Sequence, residues 1–487
     1  MEITKGVVLK SLLWKYLEKS GVQGIRFLVS IILARLIAPS EFGVIAIVLI
    51  LIELSNVVVD GGFNSSLIQK KETSNADYST ILYVSVVVSL VLYAILYLTA
   101  PYIASFYSDA RLEEILRVLC IILIFKAFNS VQNAYISKNM LFKVSFICNF
   151  VSIIVSGIVG ILMAYLDYGI WSLVFQQIIF QVVICLTMFF CVHWRPSLDF
   201  SLNSLNTLLG FGWKVFATNL MIVSFENVRG LLVGKIYGPL DLAYFERGKN
   251  FPNLLFSNVG STIQAILFPV FSHKQDDHCA VKSMLRRSIK TSTLIIAPTM
   301  IALAVMAKPI VELLLTNKWI SAVPYIQIFC LAYLLMPIQT SNMQVITALG
   351  RSDVLLKMEV WKKVLEFSIL IGSCLISVVA IAWGTVLYNV ICLFINLYPN
   401  RRLINYGYLE QFKDIAPMLL ISVFMGGIMW SCSLFVSSSL LLICIESTIG
   451  IVGFCLLCVF FKVEAFSFVL EMLLNAKNKY INTCKRP

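Results

Sequence analysis

Residues Gly234 to Lys249 read GKIYGPLDLAYFERGK and lie between two long apolar runs near the middle of the chain. An earlier stretch, Ala34 to Gly43, reads ARLIAPSEFG. In each, a small residue and a basic residue (Ala34-Arg35, Gly234-Lys235) lead to a proline, with an acid two positions later (Pro39 and Glu41, Pro239 and Asp241). The copies stand about 200 residues apart, which reads as one helix, turn, helix unit used twice. Two homologous halves facing each other are therefore expected, and the second copy carries Glu246, Arg247 and Lys249 into the apolar run that follows.

Composition says where those helices sit. The 487 residues are 59% hydrophobic and 13% charged, with mean hydropathy +0.88, whereas soluble domains carry about 25% charged residues. This is the balance of a polytopic membrane protein. Met1 to Lys19 is not a cleavable signal, because its basic residues continue to Lys19 and no small-residue site follows a short apolar core. The thirteen cysteines are scattered and mostly lie within apolar runs, which argues against a disulfide framework. Cys455 and Cys458 form a CxxC without a supporting histidine or cysteine cluster, so no metal or other cofactor is expected.

A helix needs about 20 apolar residues to cross the hydrocarbon, and about fourteen such segments can be drawn. They run roughly 12–37, 42–68, 79–107, 113–137, 145–166 and 169–193, then 207–237, 240–271, 286–316, 323–348, 355–380 and 383–404, and finally 414–435 and 438–461. Trp171 and Trp383 open the sixth and twelfth segments, and Pro101 pairs with Pro309, extending the repeat. The fold class expected is an all-α integral membrane protein, with two pseudo-symmetric six-helix lobes around a central cavity plus two C-terminal helices. Residues 1–200 make the first lobe, 201–407 the second, and 408–487 the last two helices and a basic tail. Pro252, Pro298 and Pro337 interrupt segments eight, nine and ten, with no mid-helix proline expected in their first-lobe equivalents. Bending during transport and fixed packing kinks are both open for them.

Lysine and arginine concentrate in short cytoplasmic loops. With the N terminus inside, that face collects Lys5, Lys10, Lys15, Lys19, Lys70, Lys71, Lys138, Lys143, Arg195, Lys274, Arg286, Arg287, Lys290, Arg351, Lys362, Lys363, Arg401, Arg402 and the tail from Lys477 to Arg486. The opposite loops hold little beyond Arg111 and Lys318. Both termini are thus expected in the cytoplasm, and both lobes start there, as in parallel repeats. The bias also accounts for most of the net charge of +12 without nucleic acid, since basic loops match an anionic leaflet.

Charges inside the apolar segments carry the chemistry, because an Arg, Lys or Asp at a helix centre costs about 2.5 to 3.5 kcal/mol on insertion scales. Arg26 and Lys126 sit deep in their segments with no acid within one turn on the same helix. Arg229 lies three residues after Glu226, so a mutually neutralising pair is open. Arg247 and Lys249 enter segment eight and could partly snorkel. Asp60 precedes Gly61-Gly62 and could cap a broken helix; Glu53, Asp60 and Glu366 are the candidates for ion coupling. A cavity lined by Arg26, Lys126, Arg229, Arg247 and Lys249 suits an anion, and guanidinium groups match phosphate through paired hydrogen bonds.

Taken in order, ARLIAPSEFG, DGGFNSSLIQKK (Asp60 to Lys71), YFERGKNFP (Tyr244 to Pro252), FPVFS (Phe268 to Ser272), NKWISAVPYIQI (Asn317 to Ile328) and ALGRSD (Ala348 to Asp353) resemble the Wzx-type, WzxC-like polysaccharide flippases of the multidrug, oligosaccharidyl-lipid and polysaccharide exporter (MOP) superfamily. The resemblance covers roughly residues 10–405. It implies a non-enzymatic protein of the bacterial inner membrane that turns undecaprenyl-pyrophosphate-linked oligosaccharide to the outer leaflet by alternating access, for capsule, O antigen or exopolysaccharide. Membrane lipids, a polysaccharide polymerase and a chain-length regulator are the implied partners. It further implies that Arg26 and Arg247, in the first and eighth helices, hold the pyrophosphate. Where relatives often carry an acid in helix seven, this chain has Arg229, which puts an ion site there in doubt. Coupling to a proton or sodium gradient, or to the membrane potential, is not distinguished.

Two rivals make different demands. A drug or cation antiporter of the same superfamily predicts acids along the cavity, whereas the deepest charges here are mostly basic. A membrane polymerase or lipid-sugar glycosyltransferase needs a substantial outward loop or an acid pair near the outer surface, and the outward turns here are short.

Overall fold

The structure, a computed structural model, describes residues 5–274, 277–436 and 438–471. The basic tail expected from Lys477 to Arg486 lies outside the described residues. Contacts group the chain into two compact units, Met1–Ala243 and Tyr244–Pro487. Among the described residues there are α-helices, one 3₁₀ turn and no strand.

The first unit contains α1 (Lys5–Leu36), α2 (Pro39–Asp60), α3 (Phe63–Gln69), α4 (Asn75–Tyr107), α5 (Arg111–Leu119), α6 (Ile122–Lys138), α7 (Phe142–Tyr165), α8 (Ile170–Cys191) and α9 (Leu202–Ile236), and ends on the first turn of α10 (Pro239–His273). The second holds the rest of α10, then α11 (His278–Val305), α12 (Ala307–Leu315), the 3₁₀ turn (Asn317–Ala322), α13 (Val323–Leu334), α14 (Met336–Ala348), α15 (Ser352–Cys374), α16 (Val378–Leu403), α17 (Tyr408–Ser433) and α18 (Ser439–Phe460). Among the described residues, ten helical stretches are long and apolar enough to cross a membrane. The expected first, fourth, eighth and eleventh segments are not among the ten. Each carries charges within it: Arg26, Lys126, the Glu246 to Lys249 group, and Lys362, Lys363 and Glu366.

All fourteen expected segments are helical, but four are broken in two. The second breaks at Gly61-Gly62, where φ is +53° and +71°, the left-handed region that glycine enters without steric cost. The fourth, ninth and tenth break at Cys120, Met306 and Leu335, where no glycine marks the place. Three further expectations need correction. Pro337 does not kink a continuous helix but starts α14, a position where its missing N–H costs no hydrogen bond. Pro101 lies inside α4, so the first lobe does carry a proline within a helix. The eleventh segment ends at Cys374, not near 380, because the Ser377 side chain accepts from Ala380 N–H at 3.1 Å and caps α16. Apolar Leu375 and Ile376 hide that turn from a hydropathy reading.

The expected lobe boundary at 200/201 follows the repeat, whereas packing groups α9 with the first unit, against α2, α3 and α4. Close contacts at three glycines, on α9 and at the turn after it, explain this. A Cβ on Gly62 would lie 2.2 Å from the Gly212 carbonyl oxygen of α9. A Cβ on Gly43 would lie 1.7 Å from the Pro239 carbonyl oxygen, and one on Gly234 would meet Ile47 and Leu242. The two copies of the opening motif therefore pack on each other, and their small residues permit it.

In the second unit, α17 packs on α11, and α18 packs on α12 and α17. At the basic end of α11, Arg286 and Lys290 both reach Asp414 of α17 (2.6 and 3.3 Å), and Lys282 pairs with Glu410 (2.9 Å). Between α14, α16 and α17, buried amides bond one another: Asn342 donates to Gln411 at 2.9 Å, and Asn400 to Asn342 at 2.6 Å. Amide pairs of this kind fix helix register where apolar contacts are interchangeable.

Candidate functional site: charged groups within the helices

In the first unit the structure gathers charges from four helices. Arg26 on α1 is exposed, and its guanidinium lies over the Phe180 ring of α8, 5.1 Å from the centroid. Such stacking contributes about 0.5 to 2 kcal/mol and occupies only the face of the guanidinium, so its N–H edge is not consumed by the ring. Lys126 on α6 is half-buried, and both Arg26 and Glu53 of α2 are near enough to act on it electrostatically. Glu53 in turn accepts from Asn227 of α9 at 3.2 Å. Glu53, read from the sequence as an ion-coupling candidate, thus sits as an acid within electrostatic reach of Lys126. Arg229, two residues after Asn227, is half-buried and also engaged. Lys126 thus lies within electrostatic reach of both a carboxylate and a guanidinium from other helices.

Asp60 stands apart from that group, at the break between α2 and α3. Its Oδ1 accepts from Asn64 of α3 and Ser130 of α6, each at 2.8 Å. The Gly61 N–H closes the end of α2 on the Val57 carbonyl. This is the broken helix foreseen from the Asp-Gly-Gly run, and the carboxylate ties its two pieces to α6. Around it, the side chains of Asn56 and Asn129 have both polar atoms buried without a partner among the described residues. A survey of charges misses such amides, since only their burial makes them noteworthy.

In the second unit Arg247 is buried, with 9% of its surface exposed, and its guanidinium lies over the Trp319 ring at 4.9 Å. One step on, a Cβ at Gly248 would lie 2.3 Å from the Tyr325 Cβ, so the glycine brings α10 against α13 and seats its neighbour. Lys249 pairs with Glu246 at 3.9 Å, and both are half-buried. Its charge is therefore compensated on its own helix, unlike that of Arg26. Glu366 pairs with Lys363 at 3.0 Å, one turn away on α15. Glu312 accepts from Ser439 of α18 at 2.8 Å, with Lys308 at 4.0 Å. Three residues of note escaped the sequence reading. Phe180 and Trp319 carry the two guanidiniums, and Glu446 of α18 is fully buried with both carboxyl oxygens unpartnered among the described residues. Trp319 lies within the quoted NKWISAVPYIQI stretch, but nothing in that run announces its contact with α10.

The long apolar helices make this a multi-pass helical membrane protein. The chain belongs to the family described as polysaccharide biosynthesis protein, which matches residues 32–324. It is similar to the succinoglycan biosynthesis transport protein ExoT of Rhizobium meliloti (strain 1021), 22% identical, over 66% of this chain and 65% of that protein. It is also similar to the lipopolysaccharide biosynthesis protein WzxC of Escherichia coli (strain K12), 23% identical, over 78% and 77% of the two chains. The fold is that of the lipid II flippase MurJ in its inward closed conformation, with TM-score 0.74 at 12% identity over 93% of this chain and 99% of that one. The WzxC-like resemblance seen in the sequence motifs is thus borne out over 78% of the chain.

Proposed function

We propose that this protein carries an undecaprenyl-pyrophosphate-linked oligosaccharide from the cytoplasmic to the outer leaflet of the bacterial inner membrane by alternating access, supplying capsule, O-antigen or exopolysaccharide synthesis. One observation carries the reading: the Arg26 guanidinium is held on the Phe180 ring, within electrostatic reach of Lys126. A stacked guanidinium is already oriented, so binding a phosphate costs it less side-chain entropy. Arg229 in the first unit, and Arg247 and Lys249 in the second, supply further positive charge, Lys249 least because Glu246 offsets it. A headgroup of sugars also needs a wet path, since an unpaired hydroxyl in hydrocarbon costs about 4 to 8 kcal/mol.

Both termini are assigned to the cytoplasm from the lysine and arginine distribution. In that orientation a membrane potential, negative inside, favours outward movement of an anion by about 2.3 kcal/mol per charge per 100 mV. Among the three ion-coupling candidates, Asp60 has the strongest case, because Glu53 and Glu366 each have a basic neighbour while Asp60 has hydrogen bonds but no ion pair among the described residues. A polymerase and a chain-length regulator would receive the product. The test is export in a strain lacking the chromosomal copy: Arg26→Ala and Arg247→Ala should each abolish surface polysaccharide while membrane immunoblots stay normal. Wild-type export by both variants would sink the proposal.

A further inference from the structure

Away from the charged positions above, the second unit contains a groove of about 720 Å³ between α15, α16 and the first turn of α17. That volume lies in the range of small-molecule sites. Its walls are apolar and aromatic: Trp361 and Leu365 from α15, Ile391, Phe394 and Tyr398 from α16, and Tyr408 from α17. The wall is built, since the Tyr408 hydroxyl donates to the Phe394 carbonyl at 3.2 Å and their rings lie 5.9 Å apart. Trp361 nevertheless remains 70% exposed.

One end of the groove is basic, and all but one of its cations pair with no acid among the described residues. Arg351 and Lys357 line it directly, while Arg402 lies over the Tyr398 ring at 5.2 Å and Arg401 is within electrostatic reach of the Tyr408 hydroxyl. The acids nearby are all committed. Asp353 takes two hydrogen bonds from Arg351, each 3.0 Å, which hold its carboxyl down at about 2. Glu359 pairs with Lys362 (2.6 Å), Glu366 with Lys363 (3.0 Å) and Glu410 with Lys282 (2.9 Å). Lys357, Arg401 and Arg402 are exposed and pair with no acid among the described residues. From Lys357 to Leu365 the groove follows α15 for about 12 Å at 1.5 Å per residue, an apolar slot beneath a cluster of three free cations.

We propose that this groove is a binding site for an anionic phospholipid, with an acyl chain lying along Trp361 and Leu365 and the phosphate held among Lys357, Arg401 and Arg402. A zwitterionic lipid offers the same chain, but its ammonium group cancels the phosphate that the three cations attract. Basic pockets between transmembrane helices recognise anionic headgroups in this way, at about fivefold in partitioning per Lys or Arg. The site is separate from the cations assigned to the transported headgroup, so it stands or falls independently of the flippase reading.

The test uses the full chain in phosphatidylcholine nanodiscs carrying a minor fraction of either dibrominated phosphatidylglycerol or dibrominated phosphatidylethanolamine, with quenching of tryptophan emission as the readout. Brominated phosphatidylglycerol should quench more strongly, and Trp361→Phe should remove that excess. Replacing Lys357, Arg401 and Arg402 together by alanine should lower the preference on the order of a hundredfold. Leu365→Trp, which fills the apolar slot and keeps every cation, should displace the quencher as well. Equal quenching by the two lipids, or an unchanged preference in the triple variant, overturns the proposal. So does displacement of brominated phosphatidylglycerol by equimolar undecaprenyl phosphate, which would make the groove part of the transported lipid's path.

Discussion

The Arg247 guanidinium rests 4.9 Å from the centre of the Trp319 indole, and that indole is fully buried. A cation on α10 is thus positioned by a ring from the 3₁₀ turn that precedes α13. Trp319→Ala should destabilise the second unit by about 3 to 5 kcal/mol, the usual cost of deleting a buried aromatic, seen as a lower melting temperature in detergent. Arg247→Lys should leave the melting temperature nearly unchanged but reduce export, because lysine keeps the charge without the planar fork. Full export by Arg247→Lys would show that only the charge matters.

The Glu53, Lys126 and Arg26 group predicts energetic coupling. In a double-mutant cycle, Glu53→Gln and Lys126→Met should interact by about 0.5 to 3 kcal/mol, the range for contacting groups in one network. Denaturant or thermal unfolding of the four proteins measures it. Simple additivity would show that Glu53 does not act on Lys126.

The break between α2 and α3 admits only glycine at its second position. Gly62→Ala places a Cβ 2.2 Å from the Gly212 carbonyl oxygen at φ +71°, and should sharply reduce the yield of folded protein by size-exclusion chromatography. At the neighbouring Asp60, Asn can still accept from Asn64 and Ser130, so Asp60→Asn should be tolerated in stability. Asp60→Leu strips Ser130 of its acceptor and leaves Asn64 only Ser130 Oγ at 3.0 Å, and should cost about 1 to 3 kcal/mol. Equal melting temperatures for Asp60→Asn and Asp60→Leu would exclude a structural role for the carboxylate.

Glu446 is predicted to be dispensable for folding. Its carboxyl is fully buried and unpartnered among the described residues, and burying an unbonded polar group costs about 1 to 3 kcal/mol by mutational measures. Glu446→Leu should therefore raise the melting temperature, with Glu446→Gln closer to wild type. A clear fall on Glu446→Leu would reveal a partner for the carboxyl. If export is lost while stability rises, the carboxyl is kept for transport.

Much of the candidate site was legible because charges are rare in apolar helices. Arg26, Lys126, Arg247 and Asp60 stand out from their surroundings in the linear chain, and the Asp-Gly-Gly run announces its own helix break. Phe180, Trp319 and Asn129 do not stand out, since aromatic and amide residues are common in such helices and gain meaning only from what they face. Likewise the ion pairs of Lys249 and Glu366 change the weight given to both residues. Spacing on one helix allowed them, but side-chain geometry decided them.

The sequence by itself determined the membrane class, the fourteen helical segments and the repeated Pro39 and Pro239 turns, because hydropathy and proline act locally through the cost of exposing backbone and charge to lipid. Only the tertiary structure decided that the two repeats pack on each other through Gly43 and Gly234, that α9 joins the first unit, and that Arg26 and Arg247 are seated on aromatic rings from other helices. Those contacts join residues far apart in the chain. Their energies depend on distances that only the folded backbone sets.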